Sequence, residues 1–162
     1  MEHVIKLLIV DDETRFLNAI AQRLSKRGFD VRTASNGPDA LALANREKFD
    51  IALLDLKMPG MDGREVLKVL KQEHEFLEAI ILTGHGSLES AVELTKLGAF
   101  SYLPKPYELE KLIEVLKDAY EARLKKKFAA DEAKMQKILA LASGESPLGI
   151  LRKMRELDDY RR

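Results

Sequence analysis

Short apolar runs alternate with helix-patterned stretches along most of this chain, and five rounds of that alternation leave few folds open. Val4–Val10 is apolar except at Lys6, and Glu13–Arg27 carries helical spacing at Phe16, Ile20 and Leu24, closed by Gly28 as a C-cap. Further strand signals lie at Val31–Ala34, Ile51–Leu54, Ala79–Leu82 and Ser101–Leu103. Helices are predicted between them, from Asn36-Gly37-Pro38 to about Lys48, over Arg64–Gln72 and over Ser87–Leu97, with a fifth from about Tyr107 onward. Such a pattern specifies an α/β fold, a doubly wound parallel sheet with helices on both faces. Periodicity does not set the strand order. In either common order, ligands sit beyond the strand C-termini at the switch point.

The residues at those C-termini carry the chemistry. The first run ends in Asp11-Asp12-Glu13 with no base between the acids, and the third ends in Asp55. Carboxylates delivered to one crevice repel unless a cation is shared among their oxygens, and a hard divalent ion, Mg2+ first among them, fits oxygen ligands. Thr83-Gly84 follows the fourth strand and Lys105-Pro106 the fifth. A carboxylate can attack a phosphoryl donor to form an acyl phosphate. The acidic pair with its cation, the lysine ammonium and the threonine hydroxyl would each neutralise or anchor a phosphoryl oxygen.

Composition narrows the field further. The 162 residues are 46% hydrophobic and 33% charged with zero net charge, which describes a globular chain. Cysteine is absent, excluding disulfides, thiolate metal sites and cysteine nucleophiles. No apolar run approaches the roughly 18 residues of a membrane span, and the N-terminus lacks a signal peptide's form, so a cytoplasmic, membrane-free protein is expected. The C-terminal quarter is mildly basic and the remainder mildly acidic. The Arg123–Lys127 cluster reads as a solvated helix face rather than a nucleic-acid patch.

Asp11-Asp12, Asp55, the loop Met58-Pro-Gly-Met-Asp-Gly63, Thr83-Gly84 and Tyr102-Leu-Pro-Lys105-Pro106 together resemble the receiver domain of two-component response regulators. The resemblance covers residues 4 to about 121. It implies a flavodoxin-like five-stranded sheet in the order 2-1-3-4-5 and a cis Lys105–Pro106 bond. Asp55 would be the phosphoacceptor. Asp11, Asp12, Asp55 and the backbone carbonyl of Lys57 would hold Mg2+. Thr83 and Lys105 would contact the phosphoryl group, and Thr83 with the aromatic Tyr102 would form the switch. Lys57 and His85 flank the path of an attacking water and would tune rates. The implied partner is a sensor histidine kinase or phosphotransfer protein of bacterial signalling, and the protein would be no enzyme beyond its own phosphorylation and autodephosphorylation. A degenerate receiver acting as a phosphorylation-independent binding module is the alternative.

Other classes fit less well. A haloacid dehalogenase-type phosphatase wants a second Asp two residues after its nucleophile, where this chain has Lys57. A flavodoxin's first loop must cradle a phosphate, which Asp11-Asp12-Glu13 would repel. Beyond about residue 121 there is no helix-turn-helix of adequate length, so direct DNA binding is not expected. The segments Leu82–Gly86 and Leu103–Tyr107 look especially like receivers of enhancer-binding activators; with no Walker motif, the chain reads as a stand-alone regulator or a receiver plus linker. Residues 122–162 read as a helical extension, with a long helix to about 142, a turn at 143–147 and a short helix over 147–160. Leu124, Phe128, Met135, Ile138 and Leu139, then Leu148, Leu151, Met154 and Leu157, must be buried against something. Dimerisation, through the switch face or through these helices, and folding back on the switch face are the expected uses.

Overall fold

The computed structural model describes residues 4–84, 88–143 and 146–159, with side chains throughout except at residues 88–90 and 159. Five strands, β1 (Lys6–Val10), β2 (Asp30–Ala34), β3 (Ile51–Asp55), β4 (Glu78–Thr83) and β5 (Ser101–Pro104), form one parallel sheet in the order β2-β1-β3-β4-β5. The helices between them are α1 (Thr14–Lys26), α2 (Gly37–Arg46), α3 (Gly63–Glu73) and α4 (Leu88–Lys96). This is the doubly wound flavodoxin-like order, and each expected strand and helix is present to within a few residues.

Side chains alternate across the sheet with the period of two that a pleated strand imposes. Leu7, Ile9, Ile51, Leu53, Ile80 and Leu82 face α1 and α5 (Leu109–Lys127), whereas Leu8, Val10, Ala52, Leu54, Ala79 and Ile81 join the core beneath α2, α3 and α4. With both faces covered, the inner strands are apolar throughout, as parallel sheets require. The polar groups are thereby confined to the strand ends. Gly28 and Gly98 terminate α1 and α4 at positive φ (96° and 104°), a conformation that costs glycine little.

The extension departs from expectation in one respect. The long helix predicted to run to about residue 142 is two helices. α5 stops at Lys127, Phe128 leaves helical geometry, and α6 (Glu132–Leu141) starts afresh with the Asp131 side chain accepting from the Lys134 amide at 3.1 Å. The break turns Phe128 into the core, where it is buried with Ile138 of α6 and with Ile150, Leu151 and Met154 of α7 (Pro147–Asp159). These residues belong to the same cluster as α1 and α5. The Ser146-Pro147 start of α7 is as predicted, with the Ser146 hydroxyl accepting from the Gly149 amide at 3.2 Å.

A buried ionic network pins α7 to α5. Asp158 is fully buried and accepts from the Tyr120 hydroxyl at 2.6 Å, from Arg123 Nε at 3.2 Å and from Lys127 Nζ. Arg123 reaches on to Asp50 (3.0 Å) at the start of β3 and to the Phe76 carbonyl (2.8 Å). Lys126 pairs with the buried Glu78 at 2.7 Å. The basic run at 123–127 is therefore not the solvated face that its sequence implied, because Arg123 and Lys127 neutralise buried acids.

Burial alone would raise the Asp158 carboxyl, but Arg123, Lys127 and Tyr120 outweigh it and hold the group down to about 2. Its folded value lies below the ordinary unfolded one, so its contribution is complete above about pH 4 and is lost as pH falls toward 2. Asp158→Ala should lower unfolding free energy at pH 7 by about 2–4 kcal/mol, since it strands buried donors. Urea titration should show the difference between variant and wild type narrowing as pH drops from 4 to 2.

Candidate functional site

The C-terminal ends of β1 and β3 lie side by side, with Val10 opposite Leu54, so the residues that follow them share one crevice. Asp11, Asp12 and Asp55 each place a carboxylate oxygen there, all within 4.8 Å of one another. Their surroundings differ. Asp11 is 2% exposed, Asp12 is exposed, and the Asp55 side chain is 12% exposed. One oxygen of Asp11 accepts from the Glu13 amide at 2.9 Å, which fixes its carboxylate at the start of α1. Glu13, the third acid of the sequence cluster, is the exposed N-cap of α1 and does not join the group.

Lys105 supplies the counter-charge. Its Nζ lies 2.7 Å from Asp11 Oδ2 and 3.8 Å from Asp55 Oδ1, having reached across from the end of β5. Thr83 is buried at the end of β4, one residue beyond the register partner of Asp55, and its carbonyl accepts from the Lys105 amide at 2.8 Å. The Lys105–Pro106 bond is cis, as the resemblance implied. Tyr102 is half-buried on β5 and packs on the core beneath α2, α3 and α4. Lys57 is exposed, and with Met58, Pro59, Asp62 and Arg64 it lines a shallow hollow beside Asp55 in the chain. His85, expected to tune rates, lies outside the described residues.

The loop from Asp55 to α3 is folded back tightly. The Gly63 amide donates to the Leu56 carbonyl at 2.9 Å, and a Cβ at Gly63 would sit 2.3 Å from the Asp55 carbonyl oxygen. Only glycine permits that approach. Asp62, beside it, caps α3 by accepting from the Arg64 and Glu65 amides. Gly63 was legible only as part of a loop motif, because a required close approach leaves no pattern in hydropathy.

Two aromatic residues also belong to this neighbourhood, and sequence reading assigned them no part in it. Lys105 Nζ lies over the ring of Phe16, 4.0 Å from its centroid, and the Tyr107 ring stands nearly perpendicular to Phe16 with centroids 6.0 Å apart. Helical spacing marked Phe16 as a core residue. The only hint of more was its place one turn after the acidic pair.

Electrostatically the site is poised. Burial, followed by the charge on Asp11, pushes the Asp55 carboxyl up to about 6; Lys105 pulls it down, and Asp12 adds a smaller upward push. Three clustered carboxylates against one ammonium suit a hard divalent cation, and among the described residues no softer donor joins the cluster.

The model of the response regulator receiver domain matches residues 7–117. The chain belongs to that family. The receiver is 39% identical over 115 residues to the transcriptional regulatory protein GlrR of Escherichia coli, a match covering 71% of this chain and 26% of GlrR. It is 37% identical over 112 residues to sporulation initiation phosphotransferase F of Bacillus subtilis, covering 69% of this chain and 90% of that protein. It thus spans about a quarter of the length of GlrR but most of the Bacillus protein. A CheY-like receiver domain from Methanospirillum hungatei superposes with a TM-score of 0.73 at 33% identity, over 76% of this chain and 99% of that one. NtrX from Brucella abortus gives 0.75 at 32% identity, over 80% of this chain and 30% of its own. Among the described residues, no helix is long and apolar enough to cross a membrane.

The raised value at Asp55 has a consequence for stability. Its folded value exceeds the unfolded one near 4, so the charged form disfavours folding above about pH 6, and the penalty fades as pH falls from 6 to 4. In chelator-treated protein, Asp55→Asn should therefore raise unfolding free energy at pH 7.5 by about 1–2 kcal/mol, a figure reduced for partial solvent screening. Urea unfolding at pH 7.5 and pH 5 checks both the gain and its loss.

Proposed function

We propose that this receiver is a phosphorylation-operated signalling switch, with Asp55 accepting a phosphoryl group from a histidine kinase or phosphotransfer protein. The observation that carries the proposal is the placement of Asp55 between two further carboxylates and the Lys105 ammonium at the switch point of the sheet. An Asp55 carboxylate oxygen attacks phosphorus in line. The bond from phosphorus to the donor's nitrogen or oxygen breaks with its electron pair leaving on the donor, and an acyl phosphate remains on Asp55.

Asp11, Asp12 and Asp55, whose carboxylate oxygens lie within 4.8 Å of one another, would hold Mg2+ together with the Lys57 carbonyl. When bound, Mg2+ would neutralise the carboxylates and the incoming phosphoryl oxygens. The chain's own groups do the rest. Lys105 exchanges its contact with Asp11 for a phosphoryl oxygen, and the Thr83 hydroxyl donates to another. Tyr102 then moves into the space that the Thr83 side chain leaves, altering the surface of α4, β5 and α5. Lys57, exposed after the acceptor, slows or redirects water attack on the acyl phosphate.

In this reading, residues 1–121 are the receiver and 122–162 an extension through which, or beside which, output passes by protein contact, including self-association. The only chemistry is on the protein itself, in the cytoplasm. The similarity to NtrX and GlrR supports an origin among regulators that carry further domains.

Intact mass after incubation with acetyl phosphate and Mg2+ tests the proposal. Wild type should gain one phosphoryl group, and Asp55→Asn or omission of Mg2+ should abolish the gain. Lys105→Ala should slow it roughly tenfold or more through lost charge stabilisation. No gain in wild type would leave a degenerate receiver acting as a constitutive binding module.

A further inference from the structure

We propose that Phe16 is a positioning residue for phosphoryl transfer, its ring face holding the Lys105 ammonium on the acceptor's axis while Tyr107 holds the ring; this rests on the switch reading above. Lys105 ends a four-carbon stem with free rotation at every bond, and its contacts in the resting site are carboxylates that attract it unequally. Asp11 lies at 2.7 Å and Asp55 at 3.8 Å. In the proposed reaction those contacts are redistributed, because Asp11 is also a cation ligand. The ammonium must therefore be retained by something that does not change charge.

Phe16 meets that need. Its centroid lies 4.0 Å from Lys105 Nζ, well within the range at which an aromatic face attracts a cation. The attraction survives any exchange of anionic partners and imposes no single direction on the three N–H donors. Phe16 is on the first turn of α1, whose start is fixed by the Asp11 side chain accepting from Glu13, so ring and acidic pair move as one piece.

Tyr107 provides the backing. Its ring meets Phe16 at 87°, the edge-to-face arrangement that aromatic pairs favour. Tyr107 is two residues after Lys105 on the same loop, so that loop returns to brace the ring beneath its own lysine. Among the described residues, the buried Tyr107 hydroxyl has no hydrogen-bond partner. The ring, rather than the hydroxyl, is what the site uses, and phenylalanine should serve at 107.

Phosphorylation of full-length protein by acetyl phosphate with Mg2+, followed by intact mass, tests this with Phe16→Leu, Phe16→Tyr and Tyr107→Phe. Proton NMR gives a second readout, since methylene protons over a ring face are shifted upfield. Phe16→Leu keeps apolar bulk but removes the π face, and should lower the phosphorylation rate constant by roughly 3- to 30-fold. It should also abolish the upfield shift of the Lys105 ε-methylene protons. Phe16→Tyr should restore both, Tyr107→Phe should leave both near wild type, and Mg2+ affinity by calorimetry should stay within about twofold in all three. A rate for Phe16→Leu equal to wild type, a Phe16→Tyr as slow as Phe16→Leu, or a rate loss tracking lost Mg2+ affinity would each overturn the assignment. If wild type takes up no phosphoryl group, the switch reading fails by itself. An upfield Lys105 shift that depends on an aromatic at 16 would then show the clamp to be real but without that use, and the assignment of a role in transfer would fall with the reaction.

Discussion

Concentrating three carboxylates at the ends of two adjacent strands is the constraint around which the rest of this receiver is arranged. Such a cluster opposes folding, and the sheet tolerates it because the crevice at the switch point remains open on one side and one ammonium reaches in from β5. The asymmetry among the acids follows from their supports. Asp11 has a backbone donor on one oxygen and Lys105 at 2.7 Å on the other, whereas Asp55, with a backbone hydrogen bond from Leu56 and Lys105 at 3.8 Å, is left with a carboxyl raised by burial and by the Asp11 charge. Of the two acids that Lys105 reaches, Asp55 is the more distant, and a shared cation would relieve it.

The opposite end of β3 is treated in the reverse way. Asp50, four residues before the apolar run of β3 ends, is also buried and acidic, but its charge is matched by Arg123 and by the Lys6 amide at 2.8 Å. Asp158, Tyr120 and Lys127 extend that network to α7. The extension is thus tied to the pole of the sheet remote from the site, and its apolar residues complete the core beneath α5. One pole is electrostatically closed and the other is left short of positive charge.

Most of this was legible in the sequence because apolar period and strand-end chemistry are local signals. The runs ending in Asp11, Asp55, Thr83 and Lys105 placed all four at one edge once a parallel sheet was inferred, and Gly28 marked a helix end through its conformational freedom. The break between α5 and α6 was not legible. Residues 128–131 contain no glycine or proline, and Ala129 and Ala130 favour continuing the helix. What ends it is tertiary, since burying Phe128 with Ile138 and Met154 outweighs a few residues of helix propensity. Arg123 and Lys127 were misread for a related reason, because a basic run looks the same whether water or a buried acid faces it. Phe16 was hidden behind its own regular spacing. An aromatic at a core position gives no sign that a cation lies on its face.

The geometry of the sheet edge also indicates how a change at Asp55 would be transmitted. Asp55 pairs with Leu82 and Thr83 with Pro104, and the Lys105 amide donates to the Thr83 carbonyl. Asp55, Thr83 and Lys105 therefore sit at or just beyond the ends of three consecutive strands of one hydrogen-bonded ladder. In the proposed switch, a displacement of Thr83 toward a new charge on Asp55 would pull on the backbone that carries Lys105, and Tyr102, on β5, lies three residues before that lysine. The interior behind these residues is close-packed and apolar, so it resists gradual deformation and favours a choice between discrete arrangements. In the proposed switch, coupling of the site to the α4–β5–α5 surface would require no long pathway. It would follow from placing Asp55, Thr83 and Lys105 at the ends of neighbouring strands, where the ladder of the sheet stops.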